Sequence, residues 1–476
     1  MRKYLYLFFS SFLAISAHAQ DSLWTLQESV QYALAHNIDL QESVLNERLS
    51  KLELQQSRLS QIPNASLSAN YGKSFGRSVD PTSNQFINSN YDFVGLSGNT
   101  DVLLFGWFQK RNNIKHDQLS LKAAQADYAQ LQDDISLNVA TAFLRILLAR
   151  EQVEIAGNQL KFSNKQKNQT EAFVDAGRSP ELDLAQMESQ VATDSSTYFS
   201  AVADYQKSIL DMKALMNLDI AAPFFAVEPV VNNITYTEIY TNSPEQIYNV
   251  AKNHFGAIKS SAYKVEAAKK NVAAKKGALY PQLGLGAQFG TNYSSTLREI
   301  SNVKVTGAEP TGNFVNVNGT PYLVMQPTVD FSSSVTPLGK QLNNNFRQTV
   351  ALNLTVPLFN GWTTRTTVAQ AKIDVEHNQL EEERARTKLK QDVFSAYYDA
   401  KSAIKKYYAA QKAAEASGRA LDFAQKRYAL GLMNAVELLT TQNTDFKARS
   451  DAASAKYDMI FKLKVIDYYL GKRLKL

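Results

Sequence analysis

The 476-residue chain has no cysteine, which removes disulfide scaffolds, thiolate metal sites and cysteine nucleophiles at once. Histidine is nearly as scarce. Five occur (His18, His36, His116, His254 and His377), no two at metal-ligand spacing on a helix, and there is no HExxH. Charge of neither sign dominates. The 51 basic and 45 acidic residues are interspersed, so the formal +6 reads as a solvated surface and argues against a nucleic-acid partner. Long apolar runs are missing beyond the N-terminus; the best, Thr141 to Ala149, contains Arg145.

Proline and glycine are missing from particular places. No proline lies between Pro81 and Pro180 or after Pro357, and glycine is absent from Trp107 to Ala156 and from Trp362 to Ser417. Without these breakers, and rich in Ala, Gln, Lys, Glu and Leu, both tracts predict very long helices. Ile114, Leu121, Tyr128, Ile135, Ala142, Ala149 and Ala156 recur every seven residues, as do Val393, Ala400, Tyr407, Ala414, Leu421 and Tyr428. That is coiled-coil spacing. A helix from Trp107 to about Phe173 would be roughly 100 Å long at 1.5 Å per residue.

At the N-terminus, Arg2 and Lys3, an apolar stretch from Tyr4 to Ile15 and Ala17-His18-Ala19 have the form of an export signal, so residues 1–19 are expected to be removed and the mature chain to start at Gln20.

The halves of the chain resemble each other. Ile62-Pro63 and Tyr71-Gly72 reappear 218 positions later as Tyr280-Pro281 and Phe289-Gly290, whereas Gly177 and Asp183 reappear 254 positions later as Gly431 and Glu437. The larger second shift places an insertion in a Ser-, Thr-, Asn-, Gly- and Pro-rich loop between about Tyr293 and Asn345, where Asn318-Gly319 could turn a small hairpin. The expected divisions are first-repeat helices over 20–64, a β-hairpin over 65–105 and long helices over 106–218. After a linker over 219–242 come a helix over 243–280, a second β-hairpin with a long loop over 281–359 and long helices over 360–476.

In the hairpins the period changes to two. Leu283, Leu285, Ala287, Phe289 and Thr291 alternate with small or polar residues, as do Val350, Leu352, Leu354 and Val356. Leu67, Ala69 and Tyr71, then Val94, Leu96, Thr100, Val102 and Leu104, repeat the pattern more weakly. Stretches of about 10 to 12 residues suit tilted strands crossing an outer membrane, with Phe105, Trp107, Phe108, Phe359 and Trp362 as an interfacial girdle and no further strands to cover the oily face. One face of a soluble sandwich is the alternative reading. Lipid tolerates no open sheet edge, so four strands must be completed by other chains, and three copies leave room for a lumen where two would not. A homotrimer in contact with outer-membrane lipid is therefore expected.

Leu358-Phe359-Asn360-Gly361-Trp362, and Tyr428-x-x-Gly431-x-x-Asn434-x-x-Glu437-Leu438-Leu439, set in the ordered duplication, resemble the TolC-like outer-membrane efflux family from about Trp24 to Leu474. The resemblance implies a mixed α and β membrane protein. Four transmembrane strands per chain would contribute to a trimeric 12-stranded barrel, continued by a long periplasmic coiled-coil barrel. It implies passage of substrates handed over by an inner-membrane transporter and a periplasmic adaptor. Gly177, Gly431 and Tyr428 would mark the coiled-coil turns, with Glu437 and its repeat equivalent Asp183 at the periplasmic entrance. Thr440 and Met433 depart from the family pattern at a second acidic position and a basic latch.

Read without the family, three symmetric carboxylates near one axis would concentrate negative potential, although an acid at a helix N-terminus has an ordinary macrodipole explanation too. An enzyme is not expected. Gly284-x-Gly286-x-x-x-Gly290 lies in an alternating strand with the wrong spacing for a dinucleotide loop, and no catalytic, cofactor or metal residues emerge. The alternatives are a solute porin, which would finish on a membrane strand where this chain reads helical from Asp467 to Leu476, and a periplasmic coiled-coil scaffold, which would have no membrane strands.

Overall fold

A computed structural model describes residues 23–80, 82–228, 239 and 241–472. The expected export signal over 1–19 and the start at Gln20 lie outside the described residues, as do 229–238 and 240 of the expected linker. The described residues fall into two compact units, one within 1–52, 119–266 and 375–476, the other within 53–118 and 267–374.

The duplication is explicit in the helices. α1 (Leu26–His36) and α2 (Ile38–Leu59) have counterparts of equal length in α5 (Pro244–His254) and α6 (Gly256–Gly277). α1 and α5 both begin with a reciprocal capping box. Thr25 accepts from the Glu28 amide while Glu28 accepts from that of Thr25, and Ser243 and Gln246 do the same, satisfying amides that a helix start leaves free. The proline- and glycine-poor tracts form α3 (Gln109–Asp175) and α8 (Thr363–Ala429), each of 67 residues, followed by α4 (Glu181–Met216) and α9 (Ala435–Tyr469).

Three apolar clusters hold the helical unit. Ile135, Val139, Phe143 and Ile146 of α3 pack with Met212 and Met216 of α4 and with Trp24, Leu26 and Ala33. In the second repeat Leu389, Val393 and Ala400 of α8 pack with Ile247 and Ala251 of α5 and with Met459 and Ile466 of α9. Leu389 and Val393 thus do the work of Ile135 and Val139. A third cluster joins Met187, Leu421, Ala424, Tyr428, Ala435 and Leu438. The heptad positions Ile135, Ala156, Val393, Ala400, Leu421 and Tyr428 are all buried, as knobs-into-holes packing requires. A two-residue parallel pair, β1 (Leu23–Trp24) with β6 (Phe225–Ala226), is too short to carry a sequence signal.

In the other unit β2 (Asn64–Ser74), β5 (Tyr91–Phe105), β7 (Gln282–Ser294) and β10 (Arg347–Thr355) form one antiparallel sheet in the order β10-β7-β5-β2. The two repeats meet at its centre, where β5 pairs with β7. The register brings the expected oily positions other than Leu104 and Val356, which lies beyond β10, to one face: Leu67 lies opposite Gly98, Ala69 opposite Leu96, Tyr71 opposite Val94, Val102 opposite Leu285, and Leu285 opposite Leu352. Ser66, Ser68, Asn70, Asn99, Gly284, Gly286 and Asn353 occupy the reverse. Leu104 falls at a bulge between Leu103 and Phe105 and leaves this register. Tyr71, Leu352 and Leu354 are about 65 to 75% exposed, so nothing among the described residues covers the oily face there.

Two expectations need correction. Further strands do exist, because β3 (Arg77–Val79) pairs with β4 (Phe86–Asn88), and β8 (Arg298–Val317) with β9 (Thr320–Val335), although neither pair joins the four-stranded sheet. The second loop is also not a loop but a long hairpin, turning at Asn318 (φ 51°) and Gly319 (φ 86°) and followed by α7 (Leu338–Asn344). Both turn residues are left-handed, as a two-residue hairpin turn needs. Three register shifts interrupt the ladder, and its apolar residues point to both sides, which hides the alternation.

Candidate functional site

The turns between the long and short helices bring together most of the residues singled out above. After α3 the Gly177 amide donates to Val174 O (2.8 Å) and the Arg178 amide to Phe173 O (2.8 Å); after α8 the Gly431 amide donates to Tyr428 O (2.9 Å) and the Leu432 amide to Arg427 O (2.9 Å). Each is the paired closure that a left-handed residue permits, with φ of 68° at Gly177 and 73° at Gly431. Asp183 and Glu437 then fall in the first turns of α4 and α9, where the free amides favour a carboxylate.

These pieces line one concavity of about 430 Å³ that includes Asp183, Glu437, Tyr428, Gly431, Arg178 and Arg427. Tyr428 is its buried anchor. Its hydroxyl bonds to Thr170 Oγ1 (2.7 Å), its ring lies 6.3 Å from that of Phe173, and burial pushes its pKa up, with the Asp183 charge adding to the shift. Glu437 receives the Asn434 side-chain amide at 3.3 Å, and Asp183 receives the Ser179 hydroxyl at 2.9 Å. The two guanidiniums were not anticipated. Arg178 lies 4.9 Å over the Phe173 ring, and Arg427 donates to Leu432 O at 3.2 Å. Neither arginine breaks a periodicity: Arg178 adjoins Gly177, and Arg427 lies in the last turn of α8. This concavity therefore mixes carboxylates with cations.

Above the turns a polar packet crosses the helices. Asp194 of α4 accepts from Ser163 and Gln159 of α3 and from Gln190, while Gln442 of α9 donates to Ser163. Asp194, Ser163, Gln159 and Gln442 are all buried.

The aromatic positions belong to the sheet unit. Phe105, Trp107 and Phe108 cluster, with ring centroids 5.5 and 5.9 Å from Phe105, and the Trp107 ring lies 4.7 Å from that of Tyr280, tilted by 34°, while its Nε1 donates to Pro281 O (2.8 Å). Trp107 and Phe108 are both left-handed, as are Gly361 and Trp362 at the repeat-equivalent positions. For bulky residues this costs about 1–2 kcal/mol each. Phe359 and Trp362 share a concavity of about 550 Å³ with Tyr280, Leu358 and Arg365, whose guanidinium sits 4.3 Å over Trp362. Leu358 and Phe359 are 93% and 86% exposed.

At one end of the sheet Asp80 is buried between the loops. Burial alone would raise its pKa, but hydrogen bonds from Ser294, Thr296 and the Ser83 and Thr82 amides hold it down to about 2. Gln341 donates to Ser294 O (2.9 Å) and Thr336 O (2.8 Å) and fixes α7 to the same knot.

Among the described residues no group of three or more His, Cys, Asp or Glu could hold a metal ion, and no helix is long and apolar enough to cross a membrane.

The family model for outer membrane efflux protein matches residues 29–218 and 323–471. Outer membrane efflux protein BepC of Brucella suis is 21% identical over 369 residues, 77% of this chain and 69% of that protein. Outer membrane protein TolC of Salmonella enteritidis is 21% identical over 451 residues, 94% of this chain and 82% of the other. Among solved structures, outer membrane protein VceC of Vibrio cholerae superposes with a TM-score of 0.74 at 15% identity, covering 94% of this chain and 97% of that one.

Proposed function

Because the chain belongs to the outer membrane efflux protein family, we propose that it is the outer-membrane duct of an export machine, passively conducting substrates received from an inner-membrane transporter through a periplasmic adaptor. The observation that carries this is the sheet: one face apolar, the other small and polar, with β10 and β2 left as open edges. An open edge in lipid strands backbone amides and carbonyls without partners. Sister copies must therefore close it, and three copies give a 12-stranded barrel with a polar lumen. In this reading Phe105, Trp107, Phe359 and Trp362 lie at a membrane interface, the long helices stand in the periplasm, and Asp183 and Glu437 border the entrance.

The internal seam predicts the external one. Gly98 of β5 faces Phe289 of β7. Carried through the two repeat shifts, the same pairing sets Leu352 of one copy opposite Tyr71 of the next, oily face to oily face. A Leu352→Cys/Tyr71→Cys variant, oxidised in outer-membrane fractions, should run as a covalent trimer, whereas Leu352→Cys/Lys73→Cys should not. Monomers from the first variant would sink the trimeric barrel. In planar bilayers, Asp183→Ala with Glu437→Ala should lower cation preference; unchanged selectivity would remove both residues from the entrance.

A further inference from the structure

The hairpin formed by β8 and β9 has no further strand partner among the described residues, and its tip is apolar on both sides. Val315 lies opposite Tyr322 on one face, with Val317 beside them; Phe314 lies opposite Leu323 on the other, with Met325 next along β9. Their exposures run from 50 to 67%. A lone two-stranded ribbon is marginal in water, and a ribbon lying on a single surface would still leave one of these faces wet. Charge does not compensate, since Glu309 is the only ionised residue from Val305 to Val329. A cyclic trimer supplies what the ribbon lacks: each hairpin has two neighbours, and a head-to-tail contact sets one face against the opposite face of the next copy. The hairpin's root is also fixed to the sheet that the sister copies must complete, through Asp80, Ser294 and Gln341.

We propose that the β8–β9 hairpins of three copies pack face to face around the threefold axis, the Val315/Tyr322 side of each covered by the Phe314/Leu323 side of its neighbour, forming a collar on the barrel end from which they rise. This rests on the trimer proposed above.

The chain has no cysteine of its own, so introduced thiols report without background. Val315→Cys and Leu323→Cys lie on opposite faces of one ribbon and cannot join within a chain. The full-length double variant, oxidised with copper phenanthroline in outer-membrane fractions, should give a covalent trimer as the main band, and each single variant should remain monomeric. Tyr322→Cys/Phe314→Cys should behave alike, which guards against one pair perturbing the hairpin. If both double variants stay monomeric while Leu352→Cys/Tyr71→Cys still links three chains, the collar is wrong and its faces meet lipid or another molecule. If that seam variant fails as well, the collar falls together with the trimer.

Discussion

After α3 and after α8 the chain reverses in the same way, with glycine left-handed at Gly177 and Gly431 and a carboxylate six positions on, but the side chains that secure the two reversals differ. In the first, Phe173 sits below the glycine and Arg178 above it; in the second, Arg427 sits below and Leu432 above. The apolar group and the cation have exchanged ends. The caps differ too. Asn434 accepts from the Glu437 amide at 2.8 Å, whereas Pro180 offers α4 no side-chain cap and Ser179 bonds the Asp183 carboxylate instead. The backbone path is what duplication preserved, and two different side-chain solutions support it.

The largest test addresses what the turns share. An added Cβ would meet nothing within 4 Å at either glycine, so Gly177→Val and Gly431→Val should each cost about 1–2 kcal/mol from backbone strain alone, and the two losses should match in urea unfolding. A clear inequality would show that the turns are not equivalent even in backbone. The next test addresses the caps. Asn434→Ala should destabilise by about 1 kcal/mol, while Pro180→Ser, which supplies the missing acceptor, should leave stability unchanged or raised; equal losses would break the contrast.

The smallest effect concerns Tyr428, whose repeat equivalent is Val174 and has no hydroxyl. Tyr428→Phe should cost about 0.5–1.5 kcal/mol at neutral pH through the lost bond to Thr170. Its raised pKa means that the neutral phenol is the form the fold prefers. That contribution is complete below the ordinary tyrosine value and fades as pH climbs through the folded one, so the variant should lose less stability than the parent in alkaline melts. An identical alkaline profile would remove Tyr428 as the cause.

Much of the architecture was readable because it rests on long-range regularities. A proline-free tract with a single glycine in each 67-residue helix and a seven-residue repeat leave little besides a coiled-coil helix, and an alternation such as Leu283, Leu285, Ala287, Phe289 survives as one sheet face. What escaped rests on features with no period. The β8–β9 ladder was obscured by its bulges and two apolar sides. Trp107 and Phe108 occupy a left-handed conformation that their bulk disfavours, among close aromatic contacts. Arg178 reaches the concavity from the turn itself and Arg427 from the last turn of α8, positions that no periodicity marks.

The buried packet of Asp194, Ser163 and Gln442 limits how the helices of one chain can travel. Sliding α9 by a single turn along α3 would withdraw Gln442 from Ser163 and disturb the only hydroxyl that α3 lends to the Asp194 carboxylate, in a place water does not reach. Breaking such a set costs several kcal/mol, so it acts like a tooth in a rack that forbids slippage between these three helices. Large displacements are left to surfaces that carry no such tooth.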